Sequence, residues 1–269
     1  MTHWKQATGT LAMLAGASRF GLFSDLDGTL APISPTPKEA QLSPRGRHLL
    51  SALRDELPLL ALISGRRAAS LAKKAAVPGL IYIGNHGLEQ WENEQTAVLP
   101  EALPYLPNLQ AAKAELQALE RDGAFVEDKH ATLSFHYRQV PQPEEFAARS
   151  EAQIAEVVAK HGLILFTGKR VFEVRPPIDM DKGIAFRNLV ETHRLETALF
   201  IGDDVSDLNA LHMARQMRKD QVCDAWGIGV QSEDAPDTLA DVADFLADGV
   251  ADVEALLAWL LTARKASST

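Results

Sequence analysis

Short apolar runs alternate along much of the chain with amphipathic stretches of helical period. The runs are residues 20–23, 59–63, 80–83 and 198–201, and each ends at Gly, Asp or Ser. The amphipathic stretches are residues 44–56, 67–76, 182–193, 206–217 and 250–263. Continuous apolar runs are typical of strands that are buried on both faces. Their alternation with helices predicts a parallel sheet with helices on both faces.

Residues 91–175 follow a different pattern, in which a helix precedes two short strands and the arrangement then repeats. The helices are residues 109–121 and about 143–161, and the strands are residues 125–129, 131–137, 163–166 and 171–174. The strand turns are predicted at His130 and near Gly168-Lys169. Such repetition favours an α+β domain with an antiparallel sheet, and Pro176-Pro177 indicates the linker that follows it. We therefore expect a domain in two parts, 1–90 and 176–269, with 91–175 inserted as a second domain.

The composition excludes several classes of protein and of partner. A length of 269 residues corresponds to about two domains, and 46% apolar residues are typical of a soluble globular protein. The net charge of −9 disfavours nucleic acid and an anionic membrane surface as partners. No stretch approaches the roughly 18 apolar residues of a membrane span. A single cysteine, Cys223, excludes an internal disulfide and favours a cytoplasmic location. A monomer is one state that the sequence allows.

The segment Leu11–Ala17, with Lys5 upstream, has two interpretations. It has the character of a short signal-peptide core, and it also fits a first helix that leads into the first strand. The helix is the favoured interpretation, because cleavage after Ala17 would fall just before the strand that carries the candidate chemistry.

Carboxylates are concentrated where two of the apolar runs end. Asp25 and Asp27 follow the first run, and alternation along an extended chain points them to the same side. Three more acids, Asp203, Asp204 and Asp207, follow the last run. Carboxylates held this close repel one another unless a proton or a cation lies between them. A hard divalent cation such as Mg²⁺ suits such oxygen ligands.

Groups that suit a phosphate stand at two other strand-to-helix junctions. Ser64-Gly65 follow the second run and offer a hydroxyl and backbone N–H groups, while Lys182 opens a predicted helix. Each feature alone is common on protein surfaces. The carboxyl ends of parallel strands lie at one edge of a sheet, where ligands bind in such folds. The combination therefore predicts a site for phosphoryl chemistry.

Polar side chains also alternate along the predicted strands of the inserted domain. Ser134, His136 and Arg138 share one face of their strand, and Leu133, Phe135 and Tyr137 share the other. Two interpretations remain open for the polar face. It fits a solvated face of an antiparallel sheet, and it fits a surface for sugar hydroxyls, which both donate and accept hydrogen bonds.

The order of the candidate residues resembles the haloacid dehalogenase-like (HAD) superfamily of phosphotransferases. That pattern is Asp-x-Asp-x-Thr, then Ser or Thr, then Lys, then an acidic Gly-Asp-Asp element. The matching positions are Asp25–Thr29, Ser64, Lys182 and Gly202–Asp207. The resemblance implies an α/β fold: a Rossmann-like core with a parallel sheet, and an inserted α+β cap with an antiparallel sheet.

The resemblance also implies a role for each residue. Asp25 is expected to be the nucleophile that takes the phosphoryl group, and Asp27 the general acid for the leaving alcohol and then the base for water. The implied Mg²⁺ ligands are Asp25, the main-chain carbonyl of Asp27, and Asp203. The implied supporting residues behind these ligands are Asp204 and Asp207. The implied phosphate-binding residues are Ser64, Gly65 and Lys182.

Three further segments are similar to those of trehalose-6-phosphate phosphatases. They are residues 84–89, 127–138 and 171–176, and the resemblance covers roughly residues 20–211. It implies Mg²⁺-dependent hydrolysis of trehalose 6-phosphate to trehalose and phosphate through an aspartyl-phosphate intermediate. The implied sugar-binding residues are Asn85, His86, Glu89, Glu127, Lys129, His136, Arg138 and Glu173. The chain has Met180 where the family usually has Trp, and Ser206 where it tends to have Thr, which leaves sugar specificity open.

Two alternatives stand beside this function. One is a phosphatase for another sugar phosphate, either sucrose 6-phosphate or a glycosyl phosphoglycerate. The other is a sensor that binds a sugar phosphate without turnover, which the presence of both Asp25 and Asp27 disfavours.

Overall fold

The computed structural model describes residues 2–33, 41–168, 170–233 and 235–267. Its strands are β1 Phe20–Ser24, β2 Leu59–Ile63, β3 Ile81–Gly84, β4 Glu89–Glu92, β5 Gln95–Val98, β6 Phe125–Asp128, β7 Leu133–His136, β8 Ile164–Gly168, β9 Val171–Arg175, β10 Thr197–Gly202, β11 Asp224–Val230 and β12 Phe245–Ala247. Its helices are α1 Thr8–Gly16, α2 Pro44–Glu56, α3 Ala68–Ala75, α4 Leu106–Gln117, α5 Pro143–Lys160, α6 Lys182–Thr192, α7 Val205–Lys219, α8 Leu239–Val242 and α9 Gly249–Ser267. Lys169, in a predicted turn, lies outside the described residues.

The larger sheet has the strand order β12-β11-β10-β1-β2-β3-β4-β5 among the described residues. All described pairings from β12 to β3 are parallel, as predicted, whereas β4 runs antiparallel to β3. Strands β4, β5, β11 and β12 are absent from the prediction. The apolar run is short in each: β12 has three residues, β11 contains two glycines, β4 has one apolar residue and β5 has two.

Helices cover both faces of this sheet, which confirms the predicted layers. Successive residues of β1 point to opposite sides, since Leu22 packs with α1, α2 and α9 while Phe23 packs with α6 and α7. Leu11 and Leu14 of α1 are buried in the first of these two clusters. The segment Leu11–Ala17 therefore contains most of a helix that packs into the core. No helix in the described ranges is long and apolar enough to cross a membrane.

The smaller sheet is antiparallel in the order β6-β7-β9-β8. One face packs on α4 and α5 around Leu133, Phe135 and Phe172, as alternation predicts. The other face carries a row of paired positions in which Ser134 lies between Glu127 and Glu173. The two-fold repetition of helix and hairpin in the sequence is thus realised as two helices over one sheet.

The chain divides into two compact units, Met1–Thr96 with Met180–Thr269, and Ala97–Asp179. These divisions fall a few residues beyond the predicted boundaries at 90/91 and 175/176. The first difference arises because β4 pairs with β3 and so extends the larger sheet past residue 90. The ranges 1–90, 91–175 and 176–269 remain predictions for domains.

Candidate active site

Asp25 lies at the carboxyl end of β1 with its position set by the sheet. Its backbone N–H donates to the carbonyl of Ile201 at 3.0 Å, so the ladder between β1 and β10 continues one residue past the strand. The Asp25 residue is 4% exposed. Oδ2 lies 3.1 Å from Lys182 Nζ, while Oδ1 is buried with no hydrogen-bond partner in the part of the chain that the structure describes. A buried orphan oxygen of this kind costs free energy unless a ligand satisfies it.

Lys182 is the buried cation of this site. It is the first residue of α6, after Asp181, whose side chain accepts from the backbone N–H of Ile184 at 2.9 Å. Its Nζ donates to Asp207 Oδ1 at 2.7 Å, and the side chain is 1% exposed. Burial alone would lower the pKa of this ammonium group, but the carboxylates of Asp207 and Asp25 outweigh burial and raise the pKa. Lys182 is therefore firmly protonated.

Asp207 holds the loop between β10 and α7. Its Oδ2 accepts from the backbone N–H groups of Asp203 at 3.1 Å and Asp204 at 3.0 Å. Because Oδ1 accepts from Lys182, both oxygens are committed. Asp207 thus orients the loop and the ammonium group, and its role behind the metal ligands remains a prediction. Asp204 is exposed, and its role behind the metal ligands remains a prediction.

Asp203 faces the turn that follows Asp27. Its Oδ1 accepts from the hydroxyl of Thr29 at 2.6 Å. Gly28 has a φ of +83°, and a Cβ built there would lie 2.0 Å from Asp203 Oδ2. Only glycine suits both the left-handed conformation and this close approach. The Asp-x-Asp-x-Thr pattern includes Thr29, but it does not predict that the Thr29 hydroxyl donates to Asp203, which is far away in the chain.

Burial raises the pKa values of two carboxylates in this cluster. Burial raises the pKa of Asp25 well above its usual value; Lys182 opposes that rise and Asp207 adds to it. Burial likewise raises the pKa of Asp203 to about 7, against the opposing hydrogen bond from Thr29. Oxygen atoms of Asp25, Asp203 and Asp207 lie within 4.8 Å of one another.

This donor set fits a hard divalent cation. The orphan oxygen of Asp25 and the carboxylate of Asp203 supply hard ligands, and a bound cation would oppose the burial that raises their pKa values. Asp207 belongs to the same group of carboxylates, but its two oxygens already bind Lys182 and the loop. We therefore take Asp25 and Asp203 as the side chains that would hold the ion.

Backbone hydrogen bonds to Ile83 of β3 and to His86, which follows β3, fix the turn Ser64-Gly65. Ser64 donates its backbone N–H to Ile83 at 2.9 Å, and its carbonyl accepts from the N–H of His86 at 3.1 Å. A Cβ at Gly65 would lie 2.6 Å from the His86 ring. Ser64 is 3% exposed, and its role in binding phosphate remains a prediction.

Asn85, His86 and Glu89 are all buried in the larger unit. Asn85 is 0% exposed and Glu89 2%, and the Glu89 carboxylate accepts from the backbone N–H of Ala68 at the start of α3. Asn85 and His86 both have positive φ. This burial favours a structural role beside the turn Ser64-Gly65, while contact with a sugar stays a prediction.

Asp27 lies outside the buried cluster and pairs with Arg66. The Arg66 Nε is 2.5 Å from Asp27 Oδ2 and the Arg66 Nη2 is 2.6 Å from Oδ1. Asp25 and Asp27 therefore differ sharply in surroundings, since one is buried beside Lys182 and the other is partly exposed beside Arg66. Arg66 is absent from the predicted site residues, because an Arg at a strand-to-helix turn is usually solvated.

The predicted sugar-binding residues of the smaller unit lie on or beside one face of its sheet. His136 Nε2 is 2.9 Å from Glu127 Oε2, and its ring stacks on Phe125 with centroids 4.8 Å apart. Lys129 Nζ is 3.7 Å from Glu173 Oε1, and Glu173 also pairs with Arg175. Arg138, in contrast, follows β7 and is exposed.

The architecture of the chain matches the fold of haloacid dehalogenase-like (HAD) proteins. The chain superposes with a TM-score of 0.59 on a haloacid dehalogenase-like hydrolase from Bacteroides thetaiotaomicron, at 17% identity, covering 89% of this chain and 98% of that chain. A fold match at this identity concerns the fold alone.

The family within this class follows from the sequence comparisons. A model of the trehalose-phosphatase family matches residues 23–236, so the chain belongs to that family. It is 31% identical over 220 residues to the trehalose-phosphate phosphatase of Mycobacterium bovis, covering 78% of this chain and 56% of that protein. The chain thus spans a little over half the length of that relative. A solved trehalose-6-phosphate phosphatase related protein has the same fold, with a TM-score of 0.75 at 20% identity, covering 90% of this chain and 96% of that chain.

Proposed function

We propose that the chain hydrolyses trehalose 6-phosphate to trehalose and phosphate, with Asp25 as the nucleophile and Mg²⁺ as the cofactor. The observation that carries this proposal is Asp25 Oδ1, a buried carboxylate oxygen without a partner among the described residues. An oxygen that has no protein donor is available to a metal ion and to the phosphorus atom. Family membership supplies the substrate class.

Lys182 and Ser64 are proposed to hold the phosphate of the substrate. An ammonium group has three N–H donors, and the two contacts to Asp25 and Asp207 leave one for a phosphate oxygen. Lys182 also keeps Asp25 oriented while the phosphate binds. A bound divalent cation would neutralise charge on the carboxylates and on the phosphoryl group.

The reaction divides into two transfers that use the same two aspartates. Asp25 bonds to phosphorus while the bond from phosphorus to the sugar oxygen breaks, and Asp27 gives that oxygen a proton. Asp27 then takes a proton from water as the water oxygen bonds to phosphorus and Asp25 is released. Positioning and charge neutralisation account for most of the rate gain in such transfers.

The polar face of the smaller sheet is proposed to bind the sugar. Its central row is Glu127, Ser134, Glu173 and Phe166, in that order across four strands. Ser134 Oγ is buried and has no hydrogen-bond partner among the described residues. Carboxylates beside such a hydroxyl suit sugar hydroxyl groups, which donate and accept. A cytoplasmic location and the lack of a nucleic-acid partner remain predictions from composition.

The proposal is tested by phosphate release from a panel of substrates. Purified protein with Mg²⁺ should act on trehalose 6-phosphate far faster than on glucose 6-phosphate or sucrose 6-phosphate, and EDTA should abolish release. Equal rates on all three sugar phosphates would overturn the specificity. Tight binding of trehalose 6-phosphate without any release would instead favour a sensor.

A further inference from the structure

Arg66 forms a two-point hydrogen-bonded ion pair with the carboxylate of Asp27. Both oxygen atoms of Asp27 accept from the guanidinium group, at 2.5 and 2.6 Å. A two-point contact fixes the plane of a carboxylate as well as its position, which a lysine cannot do. The Arg66 side chain is 17% exposed and that of Asp27 is 30% exposed, so solvent screens the pair only in part.

The backbone that carries Arg66 is itself held in place. The Arg66 carbonyl accepts from the N–H of Asn85 at 2.7 Å, and its N–H lies 3.4 Å from Ser64 Oγ. Two residues later, the N–H of Ala68 donates to Glu89 at 3.0 Å. The buried residues after β3 therefore fix the backbone from which the guanidinium group of Arg66 projects. The guanidinium group then orients Asp27.

We propose that Arg66 is the positioning residue for the proton transfers of Asp27, an inference that rests on the proposed phosphatase function. When the bond from phosphorus to the leaving oxygen breaks, Asp27 gives up its proton and becomes a carboxylate. That carboxylate is the form that pairs with Arg66 at both oxygens. Asp27 regains a proton from the attacking water, and Arg66 keeps the group in the same plane for both steps.

Direct binding of the phosphate is the competing role for Arg66. Its Nε and Nη2 already donate to Asp27, so the side-on pair of donors of the guanidinium group is in use. The two roles differ in their consequences. Loss of a phosphate ligand lowers kcat/KM for every substrate alike, whereas loss of a positioning residue lowers kcat/KM only for those substrates whose leaving group needs a proton.

The test compares Arg66→Gln with the wild type on trehalose 6-phosphate and p-nitrophenyl phosphate. The value of kcat/KM reports the steps up to departure of the leaving group, and p-nitrophenolate departs without a proton. We expect kcat/KM for the sugar phosphate to fall by about 30- to 100-fold, since proton transfer contributes about 10²–10⁴-fold. For the aryl phosphate, kcat/KM should change less than about threefold, while kcat falls because the water step still needs Asp27.

The controls separate this inference from the proposed function. Arg67→Gln changes the neighbouring exposed arginine and should leave both substrates unaffected. Equal falls in kcat/KM for both substrates in a folded Arg66→Gln protein would overturn the positioning role. A wild type that releases no phosphate from trehalose 6-phosphate would instead contradict the proposed function.

A double-mutant cycle gives a second and independent test. If Arg66 acts through Asp27, then Asp27→Asn with Arg66→Gln should turn over trehalose 6-phosphate no more than about twofold slower than Asp27→Asn alone. Fully additive losses in the double variant would overturn the inference. Arg66→Lys, which keeps the charge without the two-point contact, should resemble Arg66→Gln rather than the wild type.

Discussion

The two polar clusters of this protein differ in burial and in charge balance. In the larger unit, the side chains of Asp25, Lys182 and Asp207 are 6%, 1% and 0% exposed. In the smaller unit, the side chains of Glu127 and His136 are 42% and 22% exposed. The buried cluster sets several carboxylates against one ammonium group, whereas Glu127 and Glu173 on the sheet face have basic neighbours.

This difference indicates which cluster is stabilised more when a ligand binds. Buried charges without enough partners are costly, so the cluster around Asp25 gains much when a cation binds. Charges on the sheet face of the smaller unit are already paired with neighbours of opposite sign, so they gain less when a ligand binds. We infer that chemistry belongs to the first cluster and selection among sugars to the second.

The largest expected effect is that of Asp25→Asn. An amide is not a nucleophile toward phosphorus, so phosphate release from trehalose 6-phosphate should fall by about 10⁴-fold or more. A stopped-time phosphate assay measures this, with circular dichroism to check the fold. Asp55→Asn, at a side chain that is 64% exposed, is the matched control and should be fully active. Substantial activity in Asp25→Asn would mean that another residue is the nucleophile.

Lys182→Met tests whether the buried cluster depends on its one ammonium group. Removing the group leaves Asp25 and Asp207 buried without it, which should lower the free energy of unfolding by about 3–5 kcal/mol. Urea denaturation measures this loss. Lys219→Met changes an exposed lysine and should cost little. An unchanged urea midpoint for Lys182→Met would show that the stability of the buried cluster does not depend on its ammonium group.

The raised pKa of Asp203 predicts a pH dependence of stability without a divalent cation. Between the ordinary value near 4 and its folded value of about 7, the folded protein keeps a proton that the unfolded chain has lost. Stability should therefore fall as pH rises through this window, by up to about 1.4 kcal/mol per pH unit from this group. Urea denaturation in EDTA at pH 5, 6, 7 and 8 measures the slope.

Asp203→Asn is the control for that slope, since an amide oxygen can still accept from Thr29. The variant should show a shallower loss of stability between pH 5 and 7. Added Mg²⁺ should stabilise the wild type more at pH 8 than at pH 5, because the ion binds the ionised carboxylate. Parallel slopes for the two proteins would rule out Asp203 as the source.

The sequence predicts most of what local chemistry determines. Apolar runs at 20–23, 59–63, 80–83 and 198–201 all became strands, because burial on both faces leaves a clear pattern. Strand β11 contains two glycines and β4 is rich in polar residues, so neither has such a pattern and both were missed. Their place in the sheet depends on pairing with distant neighbours.

The same limit applies to the site. Asp25, Asp203 and Asp207 follow the ends of β1 and β10, where topology alone predicts that they meet, and the structure brings Lys182 from the start of α6 to the same place. The pair of Thr29 with Asp203 spans 174 positions along the chain, and that of Arg66 with Asp27 spans 39. Neither residue type is unusual at its position, so only the folded geometry reveals the contacts.

The smallest effect is expected at the polar face of the smaller sheet, where Glu173→Gln removes one charge from the proposed sugar surface. Loss of a hydrogen bond to a charged group predicts a KM for trehalose 6-phosphate about tenfold higher with little change in kcat. The KM for p-nitrophenyl phosphate should not change, because that substrate has no sugar. Glu156→Gln, on the exposed side of α5, is the matched control. A fall in kcat for both substrates would mean that Glu173 acts in the chemical step. It would contradict the assignment of chemistry to the cluster around Asp25 and of sugar selection to the smaller unit.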